Sequence, residues 1–279
     1  MEGVTIKRVS LPEEDFVREC INIVDEAQKR GVVIRILGAL AVYIKSSKNP
    51  RCKQLHKSLR ESEAGIMFTD LDLMAYKKQR KDVRNFFEKY LKYIPDRYIN
   101  AMFGDRRLIY YHPNNYYHVD IFLSKLEFSH DIYFGEKPGQ GRLELDYPTI
   151  TTTDIILEKL QIHEINKKDI VDLVVLFLSH DLSEVDEKDK INARYIAKIL
   201  ADDWGFWYDA TNNLNKVKTF AKKFVEEGKI NSHESEIIMK RVDRLLKYID
   251  KQPKTKKWVK RSNIGTKKPW YRVVEEIER

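Results

Sequence analysis

Thr69-Asp70-Leu71-Asp72-Leu73 is the stretch that decides how this chain is read. Successive side chains on a strand point to opposite faces, so Asp70 and Asp72 share one face and Leu71 and Leu73 the other. The leucines provide the buried side that pins the strand. Two neighbouring carboxylates repel each other, and a cation between them removes that penalty. Mg2+ suits such a place, because it takes hard oxygen ligands and is commonly held by carboxylates together with substrate phosphates. The plainer alternative is a solvated strand edge, and Asp-x-Asp by itself does not separate the two.

Working outward toward the N-terminus, the basic, polar stretch 45–65 reads as an excursion, part loop and part helix, leading into a strand from Ile66 to Ala75. Before it, Val32 to Leu37 is a β-branched run ending at Gly38, and Ala39 to Ile44 starts a helix. A glycine between strand and helix lets a phosphate approach the backbone, where the free N–H groups of the helix start await it. A plain tight turn has the same signature. Residues 12–30 read as a first helix, with an acidic first turn after Pro12 and Gly31 at its end.

Toward the C-terminus, an amphipathic helix is expected over Lys81 to Tyr93. Arg107 to Tyr111 and Tyr116 to Leu123 flank His112-Pro113-Asn114-Asn115 as antiparallel strands around a turn. Arg142 to Leu145 reads as one more short strand. Asp120 lies between apolar neighbours in His118-Val119-Asp120-Ile121-Phe122-Leu123. If that strand lies beside the first, three carboxylates converge, and a pair of ions there activates a hydroxyl and stabilises a leaving phosphate oxygen.

From residue 151 the period turns helical. Thr151 to Asp154 offers caps for a helix to about Ile165, and Asn166 for one over 167–179. Further helices fit 187–202, 212–227 and 232–250. The fold class is therefore α+β: a mixed sheet with flanking helices over 1–150, a helical domain over 151–250, and a tail over 251–279.

Bulk properties exclude some classes. No apolar run approaches the roughly 20 residues of a membrane span, and Met1 to Leu11 lacks the apolar core of a signal peptide. Cys20 and Cys52, the only two cysteines, read as free thiols in a reducing compartment, so a cytoplasmic protein without a membrane partner is expected. The net charge of +8 is unevenly placed, since residues 251–279 hold ten Lys/Arg against three Asp/Glu. There Lys256, Lys257, Lys260 and Arg261 surround Trp258, with Trp270 and Tyr271 further on. Cations for phosphates and rings for bases is the make-up of a single-strand nucleic-acid contact; a solubilising, disordered terminus is the alternative.

Ile36-Leu37-Gly38-Ala39-Leu40-Ala41-Val42, then Thr69 to Leu73, then Val119-Asp120-Ile121 resembles, in its order of parts, the DNA polymerase β-type nucleotidyltransferase superfamily. Leu157-Glu158-Lys159-Leu160, continuing through Lys168-Asp169-Ile170-Val171-Asp172-Leu173, resembles its AbiEii/MenT-like branch, which includes toxins of toxin–antitoxin pairs. The resemblance spans roughly residues 32–180. It implies a nucleotidyltransferase-like fold for the first domain. Gly38 and Ala39 would lie in the phosphate-binding turn. Asp70 and Asp72 would hold Mg2+ or Mn2+, with Asp120 as third carboxylate and metal ligand. Lys159 would reach the nucleotide phosphates, oriented with the nucleotide by Asp169 or Asp172. Read on its own, Lys159 is a surface lysine and Asp169 a first-turn charge. Two departures stand out: the turn usually reads Gly-Gly or Gly-Ser where this chain has Ala39, and the gap from Gly38 to Asp70 is long.

The expected activity is transfer of an NMP from an NTP to a hydroxyl acceptor, with RNA or tRNA as candidate acceptor and an antitoxin protein as candidate partner. The alternatives are a nucleotide- or RNA-binding protein without turnover on the same fold, and a metal-dependent nuclease. His180-Asp181 suggests a phosphohydrolase pair but lacks evident partners, Cys52 with His56 is too thin for zinc or nucleophilic chemistry, and Trp204, Phe206, Trp207 and Tyr208 read as packing.

Overall fold

The structure, a computed structural model, describes residues 11–60 and 67–273. The expected strand start at Ile66, the end of the polar excursion, residues 1–10 and the tail residues 274–279 lie outside the described residues. The chain divides into two compact units, each drawn from separated stretches. One takes the segments ending at Leu40, Lys125 and Ile150; the other takes Ala41–Arg60, Leu126–Tyr133 and the chain from Thr151 onward.

In the first unit, α1 (Glu13–Lys29) buries Phe16, Cys20, Ile23, Val24 and Ala27 along one side. Gly31, at φ +73°, turns the chain out of it. β1 (Ile34–Ile36) follows, and α2 (Gly38–Ser46) starts directly after Leu37. α3 (Pro50–Arg60), in the second unit, precedes the return of the chain as β2 (Asp70–Ala75). α4 (Arg80–Asn85) passes into a π-helical turn over Phe86–Tyr90. The single helix expected over 81–93 is thus shorter, and Lys92 at φ +62° reverses the chain ahead of Pro95. β3 (Ile94–Pro95) and α5 (Arg97–Phe103), neither expected from the sequence, lead to β4 (Arg107–Tyr111) and β5 (His118–Leu123).

These strands form a five-stranded sheet in the order β1-β2-β5-β4-β3. β2 and β5 are parallel and the other pairs antiparallel, so the sheet is mixed and the fold is α+β. Leu71 and Leu73 are fully buried and every residue of β5 is buried. A strand covered on both faces has no polar side to alternate with, which is why β5 reads almost continuously apolar around Asp120. The expected strand over Arg142 to Leu145 is instead a 3-10 turn at Leu143–Leu145. The Leu143 N–H donates to the Tyr76 hydroxyl at 3.0 Å rather than to a neighbouring strand.

In the second unit, β6 (Lys125–Glu127) and β7 (Asp131–Tyr133) make a small sheet. The helices that follow are capped largely where the sequence offers caps. Thr151 Oγ1 accepts from Asp154 N at the start of α6 (Thr152–Leu160), and Asn166 Oδ1 from Asp169 N at the start of α7 (Lys167–Ser179). β8 (Leu182–Ser183) pairs with β9 (Ile191–Asn192), after which Asn192 caps α8 (Ala193–Leu200). The helix expected from 187 therefore begins late. α9 (Trp204–Glu226) begins early, because Asp203 accepts from Phe206 N. α10 (Ser232–Lys251) opens on a reciprocal box between Asn231 and Glu234. α11 (Lys256–Ser262) closes the series. The helical part of the excursion is α3, which is packed: Cys52, Leu55 and His56 are buried, and Arg51 reaches Glu234 at 2.7 Å.

Both cysteines are buried free thiols. No helix among the described residues is long and apolar enough to cross a membrane.

Candidate functional site

Register assembles the first group of residues. In the parallel β2–β5 pairing, Asp70 lies opposite His118 and Asp72 opposite Asp120. Opposed residues share a face, so the three carboxylates and the imidazole occupy one face of the sheet centre. Asp70 has 43% of its side chain exposed and Oδ2 3.6 Å from His118 Nε2. Asp120 is buried, at 3% exposure.

Gly38 belongs to the same group. It sits at φ +71°, where a side chain is strained. Its Cα lies so close to Asp72 that a Cβ built there would be 2.7 Å from Asp72 Oδ2. The preceding Leu37 N–H donates to the Asp72 carbonyl oxygen at 3.1 Å. Glycine is thus required for close approach of the α2 start to the Asp72 carboxylate. Ala39 follows within the first turn of α2 and is partly exposed.

Asp120 has a partner that the sequence reading missed. Arg107 donates from Nε to Asp120 Oδ1 at 2.6 Å and from its second terminal nitrogen to Oδ2, a two-point ion pair. In the antiparallel β4–β5 register Ile109 opposes Asp120, so Arg107, two residues earlier on β4, reaches Asp120 diagonally on the same face. Burial alone would lower the Arg107 pKa, but the hydrogen bond and charge of Asp120 and the charge of Asp72 hold it above the usual arginine value. Among the described residues no three His, Cys, Asp or Glu side chains are gathered closely enough to hold a metal ion between them. Asp70 and Asp72 of β2 share this face with Asp120, the carboxylate engaged by a guanidinium. Two carboxylates fit Mg2+, which usually keeps several waters and completes its shell with substrate phosphates.

The second group lies in the second unit, where the expected Lys159, Asp169 and Asp172 do meet. Lys159 is not a surface lysine: it is 6% exposed, with Nζ 3.0 Å from Asp169 Oδ1 and 3.2 Å from Asp172 Oδ2. Asp172, fully buried, also accepts from His56 Nε2 at 2.8 Å and Arg60 at 2.7 Å. Burial opposes charge on both ions, yet their neighbours win. Asp169, Asp172 and Glu158 hold the Lys159 pKa above the usual amine value. Lys159, His56 and Arg60 hold the Asp172 pKa well below the usual carboxylate value. His56 and Arg60 complete this buried cluster, and neither was expected in it. The only signal for them is helical spacing, since positions 56 and 60 lie on one face of α3.

The basic tail forms a third group. Residues 251–273 are folded, not a solvated terminus. Trp258 packs edge-on to Trp207 at 5.1 Å, and Arg261 covers the Trp204 ring at 5.0 Å. Trp270 donates to Asp209, which also bonds His130 at 2.7 Å and His163 at 2.9 Å. Lys257, Lys260 and Arg261 line a cavity of about 650 Å3 together with Trp204, Trp270 and Tyr271. Lys256 is exposed on α11 and lies outside that lining. His180 and Asp181 do not form a pair: His180 Nδ1 bonds the Asp189 carbonyl oxygen, whereas Asp181 faces Arg241 and Arg244.

Comparison with protein-family models, curated proteins and solved structures finds no match to this chain.

Proposed function

We propose that this protein is a divalent-metal-dependent nucleotidyltransferase that moves an NMP from an NTP to a hydroxyl acceptor, with Asp70 and Asp72 as metal-holding residues and Asp120 as the third carboxylate. The supporting observation is the register that sets Asp72 opposite Asp120 beside the Gly38 turn, with Asp70 one step along the same face. A bound Mg2+ would supply Lewis-acid stabilisation of the charge that develops on the transferring phosphoryl group. The chain contributes the rest. Gly38 lets the start of α2 lie directly against the Asp72 carboxylate. RNA is the acceptor class we propose, with Lys257, Lys260 and Arg261 contacting its phosphates around the aromatic cavity.

A second reading, a nucleotide- or RNA-binding protein without turnover, draws on the Arg107–Asp120 pair, because a carboxylate engaged at both oxygens is not available to a metal. Incubation with labelled NTPs, Mg2+ or Mn2+ and total RNA separates the two. Transfer predicts label in an acceptor and release of pyrophosphate, both lost in Asp70→Asn with folding retained. Tight Mg2+–NTP binding without pyrophosphate release supports the second reading. Transfer that survives in Asp70→Asn removes the assignment.

A further inference from the structure

We propose that Arg107 is a latch on Asp120: it holds this carboxylate as an ion pair when no metal is bound and releases it when a divalent cation enters, so that Arg107 sets the affinity of the site for metal. This rests on the reading of Asp70, Asp72 and Asp120 as a metal–nucleotide site.

Three observations carry it. First, both oxygens of Asp120 are taken by one guanidinium, which presents two parallel N–H groups to a carboxylate. A cation that recruits Asp120 has to displace at least one of them. Second, the pair is screened from water, with the Asp120 side chain 4% and that of Arg107 25% exposed. A buried charge left without its partner is strongly unfavourable, so Arg107 leaves only when another cation takes over. Third, the guanidinium already lies against an aromatic ring while it pairs with Asp120. Its Cζ lies 5.2 Å from the centroid of the Phe122 ring, the residue opposite Arg107 in the β4–β5 register. Arginine stacks well on aromatic faces, so the released side chain keeps a favourable contact. Arg107 and the metal are thus alternative counterions for the same carboxylate.

The test is Mn2+ binding, read by calorimetry and by the loss of the free-ion electron spin resonance signal, on the full chain without nucleotide. Arg107→Gln is expected to bind Mn2+ roughly tenfold more tightly than the parent, a typical size for coupling between two sites. Arg107→Lys, which keeps a single charged donor, is expected to fall between them. In the parent protein, adding Mg2+ is expected to shift the Arg107 Nε–H resonance away from its carboxylate-bonded position, a readout that needs no variant to fold. Asp70-dependent binding with unchanged affinity in both Arg107 variants, or an Arg107 resonance that ignores Mg2+, overturns the latch and leaves the metal site standing. Mn2+ binding that is absent throughout, or that survives Asp70→Asn, removes the metal site itself and the latch with it.

Discussion

Gly38 and Asp172 show how much a single position carries. At Gly38 two penalties meet, a left-handed backbone and a Cβ in contact with the Asp72 carboxylate. Gly38→Ala is expected to lower stability by about 1–2 kcal/mol in chemical denaturation, from the backbone cost alone. It should also weaken any metal–nucleotide binding, because Asp72 has to move. Asp172 is the hub of a buried charge cluster. Removing its charge leaves Lys159, Arg60 and His56 short of a partner, so Asp172→Asn is expected to cost about 3–5 kcal/mol. The pH dependence follows from the direction of the shift. A carboxylate whose folded pKa is lowered contributes fully above its unfolded pKa, about 4, and loses that contribution as pH falls toward the folded value. Lys159 is the mirror case: its raised pKa gives a contribution fully present below the unfolded value of about 10 and lost only as pH rises through the folded value. The stability gap between the parent and Asp172→Asn should therefore be flat from about pH 5 to 9 and shrink below about pH 4. A gap that persists unchanged at pH 2.5 contradicts the charge-based account.

At the scale of elements, a helix cap and a strand register place the two groups of residues. Asn166 caps α7 by accepting from Asp169 N, and the Asp169 carboxylate meets Lys159. Asn166→Ala is expected to cost about 1 kcal/mol in a denaturation curve. A change within a few tenths of zero indicates that the cap contributes little. β2 holds its aspartates only because its other face is buried. Leu71→Ala removes a fully buried side chain and is expected to cost about 2–5 kcal/mol. That makes it a control for activity losses that come from folding rather than chemistry. Helices with clear caps, α7 and α10 above all, are legible in the sequence to within a residue. α5 and β3 are not: both are very short, and Ile94, Tyr98 and Met102 are exposed while only Ile99 is buried. No periodic signal marks them.

At the scale of the molecule, charge distribution is the main feature. The basic surplus lies on a folded segment whose tryptophans are packed, so the lysines are held in place rather than swept through solvent. The proposed nucleic-acid contact predicts that affinity for single-stranded RNA falls linearly with salt on a log–log plot. Lys257→Ala and Lys260→Ala should each reduce that slope by about 0.7 if each meets a phosphate. Filter binding across a salt series measures it, and an unchanged slope in both variants rules these lysines out as phosphate contacts.

What the sequence determined by itself is local. Alternation around Asp70 and Asp72 dictates a shared face, helical spacing defines α1 and α7, and Thr151 and Asn166 announce their helices, because pleat, pitch and capping act over a few residues. The chain's order of parts also makes Asp120 and Lys159 candidates. Only tertiary structure decided their partners. Arg107 meets Asp120 through a strand register set across a turn, and His56 and Arg60 meet Asp172 from more than a hundred residues away in the chain. It also decided that Lys159 is a buried ion and that the tail is folded, since burial depends on which distant surfaces pack together.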